Sequence, residues 1–230
     1  MRGHKAAVTL VCALLAALAG AAPSLAQQQP RPPAFSPSLL FGLGHRPPPP
    51  SLVFSYDGFS VDASAARKVQ SPQRTVRLIQ AQIDLVRHVG LKPEVLAALR
   101  GTPIRADTAR LGETERYVAG QGVLLKVKRL DPRRPALLAG LLRAYYDQRL
   151  AAVPAGADIA RYRAEALTRH AWPKTALMLQ SDTDYFALTA SAYLYGAITR
   201  EPYSRADLRQ TQPQYYRWLA QLFDGGRARG

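Results

Sequence analysis

The chain has 230 residues, 31 Lys and Arg against 16 Asp and Glu for a formal charge of +15, and a single cysteine, Cys12. One cysteine excludes an internal disulfide and a thiolate metal cluster. The arginines are scattered singly, with no run of five or six and no aromatic-interleaved RNA motif, so the charge describes a solvated basic surface and not a nucleic-acid footprint.

The chain opens on MRGHK and then runs without a charge from Ala6 to Ala22, followed by small residues at Ser24 and Ala26. A basic start, a short apolar run and a small-x-small step predict a secretory signal peptide over 1–26, cleaved after Ala26. The run is short for a spanning helix. The expected product is therefore an exported chain, periplasmic or secreted, with no integral membrane segment. Cys12 leaves with the signal, so the mature chain has no thiol nucleophile. Arg2 and Lys5 leave too, and 29 basic residues then face 16 acidic ones. That balance favours anionic envelope polymers or lipid headgroups as partners through long-range attraction. Residues 27–51, QQQPRPPAFSPSLLFGLGHRPPPPS, are dense in proline, which lacks the donor and fixes its own backbone, so they read as a disordered or extended leader.

A single domain is expected over 52–230. LVFSYDGFSVD places two β-prone runs around Asp57-Gly58, a hairpin turn pair. Val76, Ile79, Ile83 and Val86 recur at helical spacing and predict a helix over 72–89, stopped by Gly90. A short helix follows over 93–100. PIRAD (103–107) and GVLLKVK (122–128) read as strands joined by a polar, glycine-bearing connection. The stretch RPALLAGLLRAYYDQRL reads as a helix, with Asp131 as its N-cap and Pro132 and Pro135 near its first turn. Helices are then expected over 158–169, 183–195 and 213–223, with a loop or broken helix over 170–181. The fold class is α+β, with a small early sheet and a mostly helical C-terminal half.

The order of QIDLVRHVGLKPEVLAALR, TPIRAD, GVLLKVKRLDPRRPALL, AYYDQRL and DYFALTASAYLYGAITREPYSRADLRQTQPQYYRWLAQLF resembles the exported bacterial zincin-like proteins related to the anthrax lethal factor catalytic domain. The resemblance covers about Asp57 to Phe223. It implies a helix carrying His-Glu-x-x-His and a later helix carrying a third ligand, Glu. Two histidines four apart share one helix face and reach one zinc, while the adjacent glutamate takes a proton from the metal-bound water.

Laid over this chain, the first histidine falls on Ala139, the glutamate on Gly140, the second histidine on Arg143 and the later glutamate on Asp184. A tyrosine suited to an oxyanion in intact members falls on Leu177. Alanine and glycine supply no ligand or base, and arginine brings a fixed cation to the place of a dication. Zinc is expected in intact members and not here. The framework residues Leu137, Leu138, Leu141, Leu142, Ala144 and Tyr145 keep the apolar helix, so the resemblance implies a pseudoenzyme.

Arg143 and Asp184 are expected to pair, with the guanidinium standing in for the metal; the alternative has Arg143 in solvent and Asp184 capping its own helix. With Tyr146 and Asp147 they form the candidate binding residues, for an unidentified peptide, protein or anionic envelope polymer. Two other readings stay open: a metallopeptidase with variant ligands, for which Asp147, His170 and Asp184 are the available set, and a structural cell-envelope protein. The aromatic group Tyr185, Phe186, Tyr193, Tyr195, Tyr203, Tyr215, Tyr216 and Trp218 is read as core first and as a cleft lining second.

Overall fold

The computed structural model describes residues 50–230 apart from 111, 199, 200, 225, 227, 228 and 230. The expected signal peptide, and all of the expected leader except its last two residues, lie outside the described residues.

Asp57 and Gly58 both adopt positive φ, 49° and 80°, as the two central positions of a type I′ turn must. This lets β1 (Val53–Tyr56) fold back on β2 (Phe59–Asp62), with Tyr56 opposite Phe59. Along β2 the buried Phe59 and Val61 alternate with the exposed Ser60 and Asp62, the period-2 pattern of a half-buried strand. β3 (Ile104–Ala106) pairs parallel with β2.

The connection expected between the next two strands is itself partly a strand. Glu115–Val118 forms β4, antiparallel to β5 (Gly122–Leu125). Its sequence, ERYV, looks polar because its inward residue is Glu115, whose charge is matched elsewhere in the fold. β5 runs parallel to β3, and the sheet order is β1-β2-β3-β5-β4. The strand expected over 122–128 ends at Leu125, because the chain turns into a short 3-10 segment at Val127–Arg129.

Helix α1 (Pro72–His88) starts as its sequence dictates. Ser71 Oγ accepts the Arg74 N–H at 3.4 Å, and Pro72 sits in the first turn. Its inner face carries Ile79, Ile83 and Val86, together with the fully buried Gln82. α2 (Pro93–Arg100) follows.

α3 (Ala136–Tyr145) begins later than expected and is not capped by Asp131. Asp131 Oδ1 instead accepts the Arg133 N–H at 2.9 Å within the preceding turn. With Pro135 at the N-cap position and no local side chain available, the cap comes from α1. Gln82 Oε1 accepts the Leu137 N–H at 3.0 Å, and Gln82 Nε2 donates to the carbonyls of Asp131 (2.9 Å) and Arg134 (2.8 Å). A single amide thus satisfies three backbone groups at a buried helix start.

A π-helical turn, Tyr146–Leu150, ends α3 and leads to α4 (Pro154–Thr168). α5 (Asp182–Tyr195) is buried continuously from Tyr185 to Leu194 and stops at Gly196, in the left-handed conformation. α6 (Arg205–Thr211) lies in a stretch with no expected helix, yet it carries a full capping box between Ser204 and Asp207. α7 (Pro213–Asp224) packs Tyr215, Tyr216, Leu219 and Phe223 inward.

The fold is α+β, with the five-stranded sheet early and the helices late. α3 is its hub and touches α1, α2, the sheet and α5. Among the described residues, no helix is long and apolar enough to cross a membrane.

Candidate functional site

Nine of the ten residues of α3, Ala136 to Ala144, are buried, and Arg143 is the one ionic residue among them. A charge carried into such a helix must be met by others, because an unmatched buried ion is strongly destabilising. Arg143, 8 % exposed, is met twice. Its Nε donates to Asp184 Oδ1 of α5 at 2.9 Å, and its Nη1 lies 3.4 Å from Glu115 Oε1 of β4. Burial works against the charge, but Glu115 and then Asp184 outweigh it, and the guanidinium is held above its ordinary pKa.

The two carboxylates differ. Glu115 is 2 % exposed, whereas the Asp184 side chain keeps 30 % of its surface. Asp184 also belongs to the start of α5. Ser181, the N-cap, accepts the Asp184 N–H at 3.0 Å and donates its hydroxyl to Asp184 Oδ2 at 2.7 Å. The pairing is realised and the alternative is not: Arg143 is buried, Ser181 is the cap of α5, and Asp184 pairs with Arg143 through one oxygen and accepts the Ser181 hydroxyl through the other.

Leu177 reaches the same place. Its N–H donates to Glu201 Oε1 at 2.9 Å, and with Arg143, Glu113, Glu115, Leu188 and Ile198 it lines a hollow of about 10 Å³. This is roughly the room one water molecule needs.

Gly140 faces β5. A Cβ at this position would fall 2.6 Å from Val123 Cγ1, so glycine is what lets α3 lie this close to the sheet. Ala139 is fully buried. The positions that the resemblance assigns to His, Glu and His thus hold a core methyl, a close helix–sheet contact and a paired cation, and none of these fits a zinc ion.

Tyr146 and Asp147 stand differently from expectation. Tyr146 is buried against Phe186, with ring centroids 5.9 Å apart, and is a core contact, not a cleft wall. Asp147 is exposed, and its Oδ2 accepts the Tyr117 hydroxyl of β4 at 3.1 Å. His170 occupies an exposed turn at φ 50°. The set Asp147, His170 and Asp184 is not gathered: among the described residues, no three of His, Cys, Asp or Glu lie close enough to hold a metal ion.

Most of these aromatic residues form core, while Tyr195 is exposed and Tyr203 and Trp218 are half-buried. Tyr185 stacks on Tyr215 at 4.9 Å, and Phe186 and Tyr193 stack on Phe223 at 6.2 and 6.3 Å. Their hydroxyls are internally satisfied. Tyr185 Oη accepts from Gln212 Nε2 at 2.6 Å, and Tyr215 Oη meets Thr189 Oγ1 at 3.0 Å. Burial pushes both hydroxyls far above the ordinary tyrosine range, so neither serves as an acid or base near neutrality.

Sequence reasoning missed Glu115 and Gln82. The signal for Gln82 is its place on the apolar face of α1, between Ile79 and Ile83. For Glu115 the only hint is the lone buried cation on α3, which requires a second acid.

The chain matches no family model, no curated protein and no solved structure.

Proposed function

We propose that this chain is an exported, catalytically inactive relative of the zincin-like peptidases, in which an ionic cluster occupies the place of the metal and which acts by binding. One observation carries this reading. Arg143 and Asp184, 41 residues apart in the sequence, are the positions that the resemblance assigns to two ligands of one zinc, and their side chains meet at 2.9 Å. Leu177, assigned to the oxyanion tyrosine, lines the same hollow. This convergence supports the reading of a metal-site framework kept in position without its chemistry. A guanidinium neither takes up nor gives a proton near neutrality, and its fixed charge supplies the attraction to carboxylates that a metal would exert.

The hollow beside Arg143 is too small for a peptide side chain, so the cluster is an internal fastening, and any partner is bound elsewhere on the chain. The test is the zinc content of the purified chain by elemental mass spectrometry after dialysis against trace zinc, with Asp184→Ala alongside, followed by digestion of a mixed peptide library. No stoichiometric zinc and no cleavage is the expected result. One zinc per chain that is lost in Asp184→Ala, with library cleavage, would replace this reading with a metallopeptidase of variant ligands.

A further inference from the structure

The parallel strands β3 and β5 end side by side, with Ala106 opposite Leu125. The segments that leave them, 107–110 and 126–129, wall a hollow of about 410 Å³. The carboxyl ends of adjacent parallel strands are where open sheets hold ligands, and the volume lies within the roughly 300–1,000 Å³ of small-molecule sites.

The charge in this hollow is one-sided. Arg110, Lys126, Lys128 and Arg129 line it, against one acid, Asp107. Asp107 is already engaged: its Oδ1 accepts the Ala109 N–H at 2.8 Å, and its Oδ2 lies 3.9 Å from Arg116 Nε. Arg129 fastens the wall by donating to the carbonyls of Arg110 (2.8 Å) and Gly112 (3.2 Å).

Lys126 decides the matter. It is only 4 % exposed, yet among the described residues its ammonium makes no hydrogen bond or ion pair, unlike Arg143. A Cβ at Gly112, whose φ is +91°, would come within 3.2 Å of that nitrogen, so glycine leaves the room it occupies. The residue is buried while its ammonium nitrogen keeps some accessible surface, so an anion in the hollow can reach it.

We propose that this hollow binds a phosphoryl-bearing ligand, with an anionic oxygen on Lys126 Nζ and the exposed Lys128 and Arg110 at the rim. Lysine serves as a point charge for phosphate, and the volume exceeds a bare ion, so the ligand carries an organic body. That body is either a small phosphomonoester or the repeat of a phosphodiester envelope polymer. The hollow is separate from the Arg143 cluster, and its test does not depend on the inactive-peptidase reading: zinc in the purified chain would overturn that reading and leave this one standing.

The experiment is calorimetric titration of the full chain at low salt with glycerol 3-phosphate and, separately, with poly(glycerol phosphate). Saturable binding of at least one is expected, weakened about tenfold or more in Lys126→Met. The same variant should melt close to the parent, since methionine keeps the packing of the buried stem and only the ammonium is lost. Binding of the monoester alone identifies a small ligand, and binding of the polymer alone an envelope component. The exposed pair Arg110→Ala/Lys128→Ala weakens binding several-fold and keeps the readout open should Lys126→Met misfold. The proposal is overturned if neither probe saturates below about 10 mM, or if the remote exposed variant Arg133→Ala weakens binding as much as the variants in the hollow.

Discussion

Arg143 shows how one residue sets the terms for its neighbours. An arginine in a helix buried on nearly every side keeps its charge, so acids must come to it, and Glu115 and Asp184 do so from different elements. Removing the arginine takes a cation away from Glu115, which has almost no water to turn to. Arg143→Ala should therefore lower the unfolding free energy by about 3–5 kcal/mol in urea titrations, and adding Glu115→Gln should restore much of that. Asp184→Ala should cost less, since its side chain is partly solvated. A loss below about 1 kcal/mol in Arg143→Ala would class the cluster with ordinary surface pairs. Gln82 is the neutral counterpart, one buried amide serving three backbone groups. Gln82→Leu keeps the volume and leaves those groups unmet, so we expect a loss of roughly 2–4 kcal/mol, read from the same titrations.

At the scale of elements, α3 and β5 are matched by a missing side chain. Gly140 sits where any Cβ meets Val123, so Gly140→Ala should cost about 1–3 kcal/mol through forced repacking. Rebuilding the motif as Ala139→His/Gly140→Glu/Arg143→His should give an unstable chain and not a zinc site; shrinking Val123 to Ala in the same background should recover part of the melting temperature.

Elements with strong local signals were legible from sequence: the Asp57-Gly58 hairpin, the apolar stripe of α1, the unbroken apolar run of α5 and the aromatic face of α7. The pairing of Arg143 with Asp184 was expected from the sequence as well, and the two side chains meet. β4 was not, since its inward residue is a glutamate whose partner is 28 residues away. The start of α3 was misplaced because its cap comes from another helix. α6 was missed although Ser204 and Asp207 spell its capping box, because seven residues are too few for a periodic stripe.

On the scale of the whole molecule, the chain is fastened near its C-terminal end. Arg229 bonds both Asp224 oxygens (2.8 and 2.6 Å) and donates to the Gly90 carbonyl (3.0 Å) and the Val89 carbonyl, tying α7 to the end of α1. Burial alone would raise the Asp224 carboxyl; the bonds from Arg229 and the Tyr193 hydroxyl outweigh it and hold the pKa below the ordinary value. Asp62 and Asp207 are lowered as well, by hydrogen bonds from Ser64 and Ser204. With folded pKa values depressed, the unfolded chain takes up protons first. The stability these groups supply is whole above about pH 4 and is lost as pH falls through their folded values. Urea midpoints measured from pH 6 to pH 2 should fall across that window, and less steeply in Arg229→Ala; parallel curves would remove Asp224 from the account.

The cluster at Arg143 also bears on time. It joins a strand and two helices across sequence separations of 28 and 41 residues, so it closes only after the sheet and both helices have met. Contacts made that late are absent from the folding barrier and act on the way out. Arg143→Ala should refold at nearly the parental rate and unfold much faster in stopped-flow measurements, which makes this ionic fastening a determinant of how long the native chain lasts once it has formed.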